Sequence, residues 1–315
     1  MRKTILLSAV VVLTAAGASA PAAAQVKAAA KSSYLDDVRL YEKGDFGAAL
    51  YVGYSYFHGV AGAPQSYKLA LEWYRKAADK GNVTAIKRLG DIYYQGNGVA
   101  ENGAEAARWY AKAAELGDAE AMERLGDIQA NGNAGKRNHA EAAKYYQQAA
   151  AEGGKSPAFK LGRLYFMGEH GLQLNHAEAL KWFEAAFKAG EPGAAAFVAD
   201  IYSVNLGVKK NLSKAAEWLV KGSVQGDTVS MVKLGEAYAL GQGLRKDYAE
   251  SYKWLAVAAA KENNPKAERL MEAVSKRMSQ RELAGARKAA DEYIAKNVTR
   301  QDLEDKAFLK TLKGN

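Results

Sequence analysis

Apolar and small side chains recur along most of the chain at intervals of three and four residues, which is the spacing of one face of an α-helix. Ala85, Leu89, Ile92 and Tyr93 form one such pattern, and a second pattern follows after the polar stretch GNGVAE. This part of the sequence therefore predicts two amphipathic helices joined by a short loop. Similar pairs follow one another along the chain.

The helix pairs repeat at intervals of about 36 residues. The clearest marker is tryptophan, because every tryptophan lies in one register: Trp73, Trp109, Trp182, Trp218 and Trp254. Tyr145 holds this register in the third repeat. A single helix pair cannot bury both of its apolar faces, whereas stacked pairs can, so the period predicts one continuous core.

Each first helix carries a large apolar residue followed by a small one. The pairs are Val52-Gly53, Leu89-Gly90, Leu125-Gly126, Leu161-Gly162, Val198-Ala199 and Leu234-Gly235. Small residues at fixed places let neighbouring helices approach closely, and large residues such as Trp109 fill the remaining space. On this interpretation Trp109→Ala would cost about 3–5 kcal/mol of stability.

Each second helix has a predicted start, seven residues before the tryptophan register. Strong N-cap residues stand there in all six repeats: Ser66, Asn102, Asn138, Asn175, Asn211 and Asp247. A glutamate follows three residues later in four repeats, which predicts capping boxes with Glu105, Glu141, Glu178 and Glu250.

The period, the stretch LGDIYYQGNGV, the cap and the pattern A-x-x-W-Y-x-K-A-A-x-x-G together resemble the Sel-1-like repeat family, which is related to tetratricopeptide repeats. The resemblance implies an all-α, right-handed superhelix, a solenoid of about six helix pairs with helical caps. The expected repeats are residues 45–82, 83–118, 119–154, 155–191, 192–227 and 228–262. Residues 25–44 would form an N-terminal linker and capping helix, and residues 263–315 the C-terminal capping helices and tail.

The first 24 residues differ from the rest. Arg2 and Lys3 precede a twelve-residue apolar run, Ile5 to Ala16, which is too short to span a bilayer and is typical of a signal peptide. Ala22-Ala23-Ala24 before Gln25 is the expected cleavage point. We therefore expect an exported, periplasmic protein of bacterial type without a transmembrane span in the mature chain; the alternative is an apolar anchor that stays.

Composition narrows the possible chemistry. The chain has no cysteine, which excludes disulfides, thiolate metal sites and a thiol nucleophile. The formal net charge is +9, but lysines alternate with glutamates rather than cluster. This pattern argues against a nucleic-acid groove and favours a weak attraction to anionic partners or membrane surfaces.

Two features invite a catalytic or metal-binding interpretation. The Gly-x-Gly of YYQGNGV resembles a phosphate loop, but a helix precedes it and similar glycines recur in other repeats, so Gly96 is predicted to end a helix in the left-handed conformation. His139 and His176 share one slot, which predicts an exposed first helical turn rather than a metal site. Neither Gly-x-Ser-x-Gly nor Ser-x-x-Lys occurs. We expect no enzymatic activity, no cofactor and no metal.

Charged columns flank the Leu-Gly pairs. Basic residues before the leucine and acidic residues after it predict three pairs within single helices: Arg88–Asp91, Arg124–Asp127 and Lys233–Glu236. One interpretation is a solvated ladder of ion pairs, each contributing little. The other is a concave groove, lined by the first helices, that binds a peptide.

Aromatic residues and arginine interrupt this ladder near the first repeats and in the fourth. The candidate partner-binding residues are Tyr54, Phe57, Arg88, Asp91, Tyr94, Arg163, Phe166 and Met167. The resemblance implies a non-enzymatic scaffold or regulator that binds a protein partner in the cell envelope. The alternatives are a scaffold of exopolysaccharide assembly or a binder of glycan or peptidoglycan and, more remotely, a hydrolase.

Overall fold

The computed structural model describes residues 33–205, 207–262 and 264–298. The predicted signal segment and residues 299–315 of the expected C-terminal tail lie outside these ranges. The described residues form fifteen α-helices and no strand. The helices occur in successive pairs, so the predicted all-α solenoid of helix-pair repeats is confirmed.

The helices alternate between the first and the second member of each repeat. The bounds are α1 Tyr34–Glu42, α2 Ala48–His58, α3 Tyr67–Ala78, α4 Val83–Gln95, α5 Gly103–Glu115, α6 Ala119–Asn131, α7 His139–Ala151, α8 Lys155–Met167, α9 His176–Lys188, α10 Ala194–Ser203, α11 Leu212–Val224, α12 Thr228–Leu240, α13 Tyr248–Lys261, α14 Pro265–Ser275 and α15 Gln280–Asn297. We call α2, α4, α6, α8, α10 and α12 the A helices, and α3, α5, α7, α9, α11 and α13 the B helices.

The helices belong to two compact units. The first extends to Glu101 and contains α1 to α4, and the second begins at Asn102 and contains α5 to α15. Within each unit every helix as far as α13 packs against the next helix of that unit. In the second unit α14 and α15 both pack on α13.

Glycine ends most of the A helices, as the sequence predicted. Gly96 has φ +71° and donates its N–H to the carbonyl of Ile92. Glycine adopts the left-handed backbone conformation without a steric penalty, and this conformation directs the chain away from the helix axis. The GNG stretch is therefore a helix stop followed by a turn at Gly98, whose φ is +74°.

The six predicted N-cap residues all cap B helices. Asn138, for example, accepts a hydrogen bond from the Glu141 N–H at 3.0 Å. The four predicted capping boxes are not formed, because the glutamates pair with basic residues three positions later, as in Lys144–Glu141 at 2.7 Å. The N-cap N–H is already satisfied by the preceding A helix. In five repeats it donates to a carbonyl there, from Ser66 to Tyr56, Asn138 to Gln129, Asn175 to Tyr165, Asn211 to Tyr202 and Asp247 to Tyr238.

The core between the A and B helices is filled by the residue after the tryptophan register, not by tryptophan itself. These residues are at most 6% exposed: Tyr74, Tyr110, Tyr146, Phe183, Leu219 and Leu255. A β-carbon added at Gly53 would lie 2.7 Å from the Tyr74 ring, and one at Gly162 would lie 2.8 Å from the Phe183 ring. The small residue of each A helix thus makes room for the large residue of its B helix.

Tryptophan packs instead against the neighbouring element. In the last repeat that element is α15, whose Tyr293 contacts Trp254 at 5.1 Å, and Trp254 is there only 6% exposed. Trp109 is only half-buried. Trp218 contacts Phe187 of the preceding B helix at 5.2 Å between ring centroids, and the ammonium of Lys221 lies 4.3 Å from the Trp218 ring. The expectation that Trp109 fills the centre of the core was therefore wrong. A half-buried ring leaves a smaller cavity on truncation.

Candidate interaction face of the A helices

Ion pairs join successive A helices. In the second unit Lys160 Nζ of α8 lies 2.6 Å from Asp127 Oδ1 and 2.7 Å from Glu123 Oε1, both on α6. Lys233 of α12 contacts Asp200 of α10 at 2.6 Å. Neighbouring A helices of the second unit therefore lie side by side. We call the surface that the A helices present within each unit the A face of that unit.

The predicted pairing within single helices is only partly correct. Arg88 and Asp91 pair at 2.9 Å on α4. Arg124 lies 4.0 Å from Asp127, at the limit of an ion pair. The predicted Lys233–Glu236 pair is wrong, because Lys233 reaches back to Asp200 and Glu236 contacts Lys266 of α14 at 2.8 Å.

One ion pair on the A face is anchored to the core. The Tyr146 hydroxyl donates to Asp127 Oδ1 at 2.8 Å, and Lys160 donates to the same oxygen. Burial, together with the negative charge of Asp127, raises the pKa of Tyr146, so its hydroxyl remains a donor at neutral pH. This arrangement fixes the position of the carboxylate between two repeats.

The ladder is interrupted between the fourth and fifth repeats. Arg163 stands where four of the six repeats have an acid, and Phe197 stands where four have a base. The Phe197 ring stacks on Phe183 at 4.7 Å and contacts Phe166 at 5.8 Å. Arg163 is exposed and has no ion-pair partner among the described residues. Phe166 thus belongs to a packed aromatic cluster, whereas Met167 is 40% exposed.

The first unit has a different arrangement at the corresponding sequence positions of its A helices. Tyr54 occupies the acidic position of α2, and its ring lies 4.3 Å from the His58 ring. The Phe57 ring contacts His58 at 4.9 Å and Tyr67 at 5.1 Å. Gln65 donates to the carbonyl of Phe57 at 3.1 Å and so ties the following loop to this group.

The Arg88–Asp91 pair lies beside these rings. Burial, and secondly the positive charge of Arg88, lower the pKa of His58, so that imidazole is neutral at neutral pH. The structure therefore brings Tyr54, Phe57, Arg88 and Asp91 together as one group, which we call the aromatic–arginine cluster, with His58 at its centre.

Tyr94 was also a predicted binding residue, whereas His58 was not. Tyr94 is half-buried on α4. His58, which the sequence analysis did not select, lies four residues after Tyr54 and therefore on the same helical face. That spacing was the available signal for His58.

The prediction that His139 and His176 are exposed was wrong, since each is 6% exposed. The loop that follows α8 covers His139, whose backbone N–H donates to the carbonyl of His170 at 3.0 Å. The imidazole rings of His139 and His170 meet edge to face, with 4.6 Å between their centroids. His176 contacts Phe166 at 5.1 Å. Within the described ranges no group of three histidine or acidic residues could hold a metal ion.

Replacing His139 with leucine, which is the residue of the fifth repeat at this position, is expected to make folding less sensitive to acid. Burial, followed by the nearby His170, lowers the pKa of His139, so the unfolded chain takes up this proton first as the pH falls. The wild-type chain therefore loses stability below about pH 6.5, towards the lower folded pKa. Thermal melts between about pH 7.5 and pH 5 would show a smaller loss in the variant. An equal loss of thermal stability in the wild type and the variant would contradict the attribution of this acid sensitivity to His139.

Among the described residues, every helix is too short or too polar to cross a membrane.

Among solved structures, a Sel1 repeat protein from Oxalobacter formigenes is 27% identical, with a TM-score of 0.53, over 72% of this chain and 99% of that chain. A protective antigen of uropathogenic Escherichia coli strains, described as displaying an SLR fold, is 24% identical, with a TM-score of 0.49, over 86% of this chain and 65% of that chain.

Among curated proteins, the ERAD-associated E3 ubiquitin-protein ligase component HRD3A of Arabidopsis thaliana is 37% identical over 57 residues. That match covers 18% of this chain and 8% of the plant protein, so the chain spans only a small part of that relative.

The family model for the Sel1 repeat matches the chain six times. The matched residues are 47–82, 83–118, 119–154, 158–191, 192–227 and 228–263. Together these segments cover more than half of the chain, and they coincide with the helix pairs and inter-repeat contacts described above. The chain therefore belongs to the Sel1 repeat family, as its sequence motifs indicated.

Proposed function

We propose that this Sel1-repeat chain is a non-catalytic scaffold that binds a protein partner on the A face of its first unit, with the aromatic–arginine cluster as the anchor. The observation that carries the proposal is the replacement of an acidic ladder position by Tyr54. That replacement places three aromatic or imidazole rings beside the Arg88–Asp91 pair. Tyrosine and arginine at the centre of a contact surface are the residue types that contribute most to protein binding.

The cluster is ordered before any partner binds. The Phe57 and Tyr67 rings contact each other, and Gln65 hydrogen-bonds to both the Phe57 carbonyl and the Tyr67 hydroxyl. The Arg88 side chain remains 42% exposed although it pairs with Asp91. Pre-ordered rings lose little conformational entropy on binding, and a half-exposed guanidinium retains free N–H donors for a partner.

We place this binding in the bacterial cell envelope. The support is the basic start and short apolar run of residues 2–16, followed by small residues up to Ala24. Cell fractionation with N-terminal sequencing tests this location, with a mature chain beginning at Gln25 as the expected result. An uncleaved cytoplasmic chain would refute export without affecting the proposal for the A face.

Affinity capture from envelope extracts, quantified by mass spectrometry, tests the binding face. Tyr54→Ala and Arg88→Ala are each expected to reduce recovery of a specific partner by about tenfold or more. The matched control is Lys266→Ala, which removes one ion pair between α14 and α12 in the second unit, away from the cluster. If the two cluster variants recover the same partner as well as the control does, the cluster is not the anchor.

Glycan binding is the second candidate function, because half-exposed aromatic rings beside an Arg–Asp pair also suit sugars. The same variants separate the two functions in a binding assay with purified envelope polysaccharide. Loss of polysaccharide binding in Tyr54→Ala, without any captured protein, would favour the glycan role over the protein role.

A further inference from the structure

The loops that connect A to B helices in the third to sixth repeats form one edge of the second unit, which we call the loop edge. It comprises residues 132–138, 168–175, 204–211 apart from residue 206, and 241–247. Three of these loops lie against the start of the B helix of the preceding repeat. Asn133 of the third loop abuts Gly103, the His170 carbonyl of the fourth loop accepts the His139 N–H, and Gly243 of the sixth loop abuts the backbone of Leu212.

The loop edge carries a concentration of positive charge. Its exposed cations are Lys136, Arg137, Lys209, Lys210, Arg245 and Lys246. Its acids are Glu169 and Asp247, and Asp247 is occupied as an N-cap that accepts two backbone N–H groups. The corresponding loops of the first two repeats, residues 59–66 and 96–102, contain no lysine or arginine. The fourth loop, residues 168–175, also lacks lysine and arginine, so the positive charge is specific to the third, fifth and sixth loops.

Apolar side chains are exposed along the same edge. Met167, Val204 and Leu240 occupy the last turn or end of three successive A helices and are 40%, 43% and 65% exposed. In the first three repeats this position holds polar residues, namely His58, Gln95 and Asn131. Leu174 in the fourth loop is 54% exposed. Isolated exposed apolar residues are ordinary, but a column that changes from polar to apolar along the array is not.

We propose that the loop edge binds an anionic lipid surface. The lysine and arginine side chains would pair with lipid phosphates, while Met167, Leu174, Val204 and Leu240 enter the headgroup region. Combined electrostatic attraction and shallow apolar burial is the basis of reversible attachment to membranes. The edge favours a lipid surface over a protein segment because its apolar residues are aliphatic, lie at helix ends and a loop, and accompany cations spread over several loops. The proposal does not depend on the aromatic–arginine cluster.

Co-sedimentation of the whole protein with lipid vesicles tests this inference. Vesicles of roughly two parts phosphatidylcholine to one part phosphatidylglycerol are expected to bind the protein, and vesicles of phosphatidylcholine alone to bind it at least about tenfold more weakly. Combined replacement of Lys209, Lys210, Arg245 and Lys246 by glutamine should reduce binding to the anionic vesicles by about tenfold or more. Leu174→Ser with Leu240→Ser should reduce it by roughly threefold or more at unchanged net charge.

The matched control replaces four exposed cations outside the loop edge, Lys188, Arg287, Lys288 and Lys296, by glutamine. This control removes the same number of positive charges as the fourfold loop variant, and both variants keep the apolar N-terminal segment of residues 1–32. Its binding to the anionic vesicles should therefore remain close to that of the wild type. Equal losses in the two fourfold variants would overturn the proposal, because net charge alone would then explain binding. Binding of soluble poly-glutamate through the loop cations, without binding to vesicles, would overturn it in favour of an acidic protein partner.

Discussion

Phe183→Ala is expected to lower the free energy of unfolding by about 3–5 kcal/mol, the range for truncation of a fully buried aromatic side chain. Phe183 is 0% exposed. Its ring lies against Gly162 of α8 and stacks on Phe197 of α10 at 4.7 Å. Removal of the ring leaves a cavity bounded by three helices, and helices that are held by their neighbours cannot collapse into it fully.

Trp182→Ala is the control for this prediction. Trp182 precedes Phe183 on the same helix and marks the repeat register, but it is only half-buried. Its truncation is expected to cost about 1–2 kcal/mol, as is usual for partly buried positions. Urea denaturation of both variants measures the difference. Because a repeat array can unfold in parts, amide hydrogen exchange in α8 to α10 should show the same order. A larger loss of stability in Trp182→Ala than in Phe183→Ala would show that tryptophan, and not the residue after it, fills the core.

Sequence reasoning identified the period, the caps and the helix pairs because these are local patterns. It could not decide which of two adjacent large residues faces the A helix. Trp182 and Phe183 lie about 100° apart around α9, and both belong to its wide apolar stripe. The choice is made by Gly162 on another helix, because only the residue opposite that gap can approach closely. Spacing along one helix does not contain this information.

The errors concerning charges and histidines have a similar cause. Lys233 can reach Glu236 on its own helix or Asp200 on the preceding A helix, and the structure pairs it with Asp200 at 2.6 Å. His139 occupies a first helical turn, which alone suggests exposure, but the loop of the next repeat covers it. Contacts between repeats depend on how closely the pairs stack, and the sequence of one pair does not specify that distance.

The candidate site was predicted in part for the same reason. The sequence selected Tyr54, Phe57, Arg88 and Asp91, which the structure brings together. It also selected Phe166, which packs against Phe183 and Phe197. Both groups consist of aromatic residues that interrupt one ladder, so residue type did not distinguish them. The distinction arises from Phe197, whose ring occupies the space between α8 and α10.

Gly162→Ala is expected to destabilise the protein by about 1–3 kcal/mol, although alanine is the better helix former by about 1 kcal/mol. The new β-carbon would lie 2.8–3.1 Å from three atoms of the Phe183 ring, which Phe197 holds from the other side. Gly285→Ala on α15 is the control, since no atom lies within 4 Å of that added carbon. It should stabilise the chain by up to about 1 kcal/mol.

A double variant tests whether the clash is the cause. The fifth repeat holds Ala199 and Leu219 in the positions of Gly162 and Phe183, and both of these residues are buried in the core. Gly162→Ala with Phe183→Leu copies that solution into the fourth repeat. Because leucine relieves the contact with the new methyl group, the double variant should be more stable than the sum of the single losses predicts, by about 1 kcal/mol or more. Simple additivity in urea denaturation would show that the glycine is required for another reason, and the complementary packing of small A-helix and large B-helix residues would then not explain the repeat.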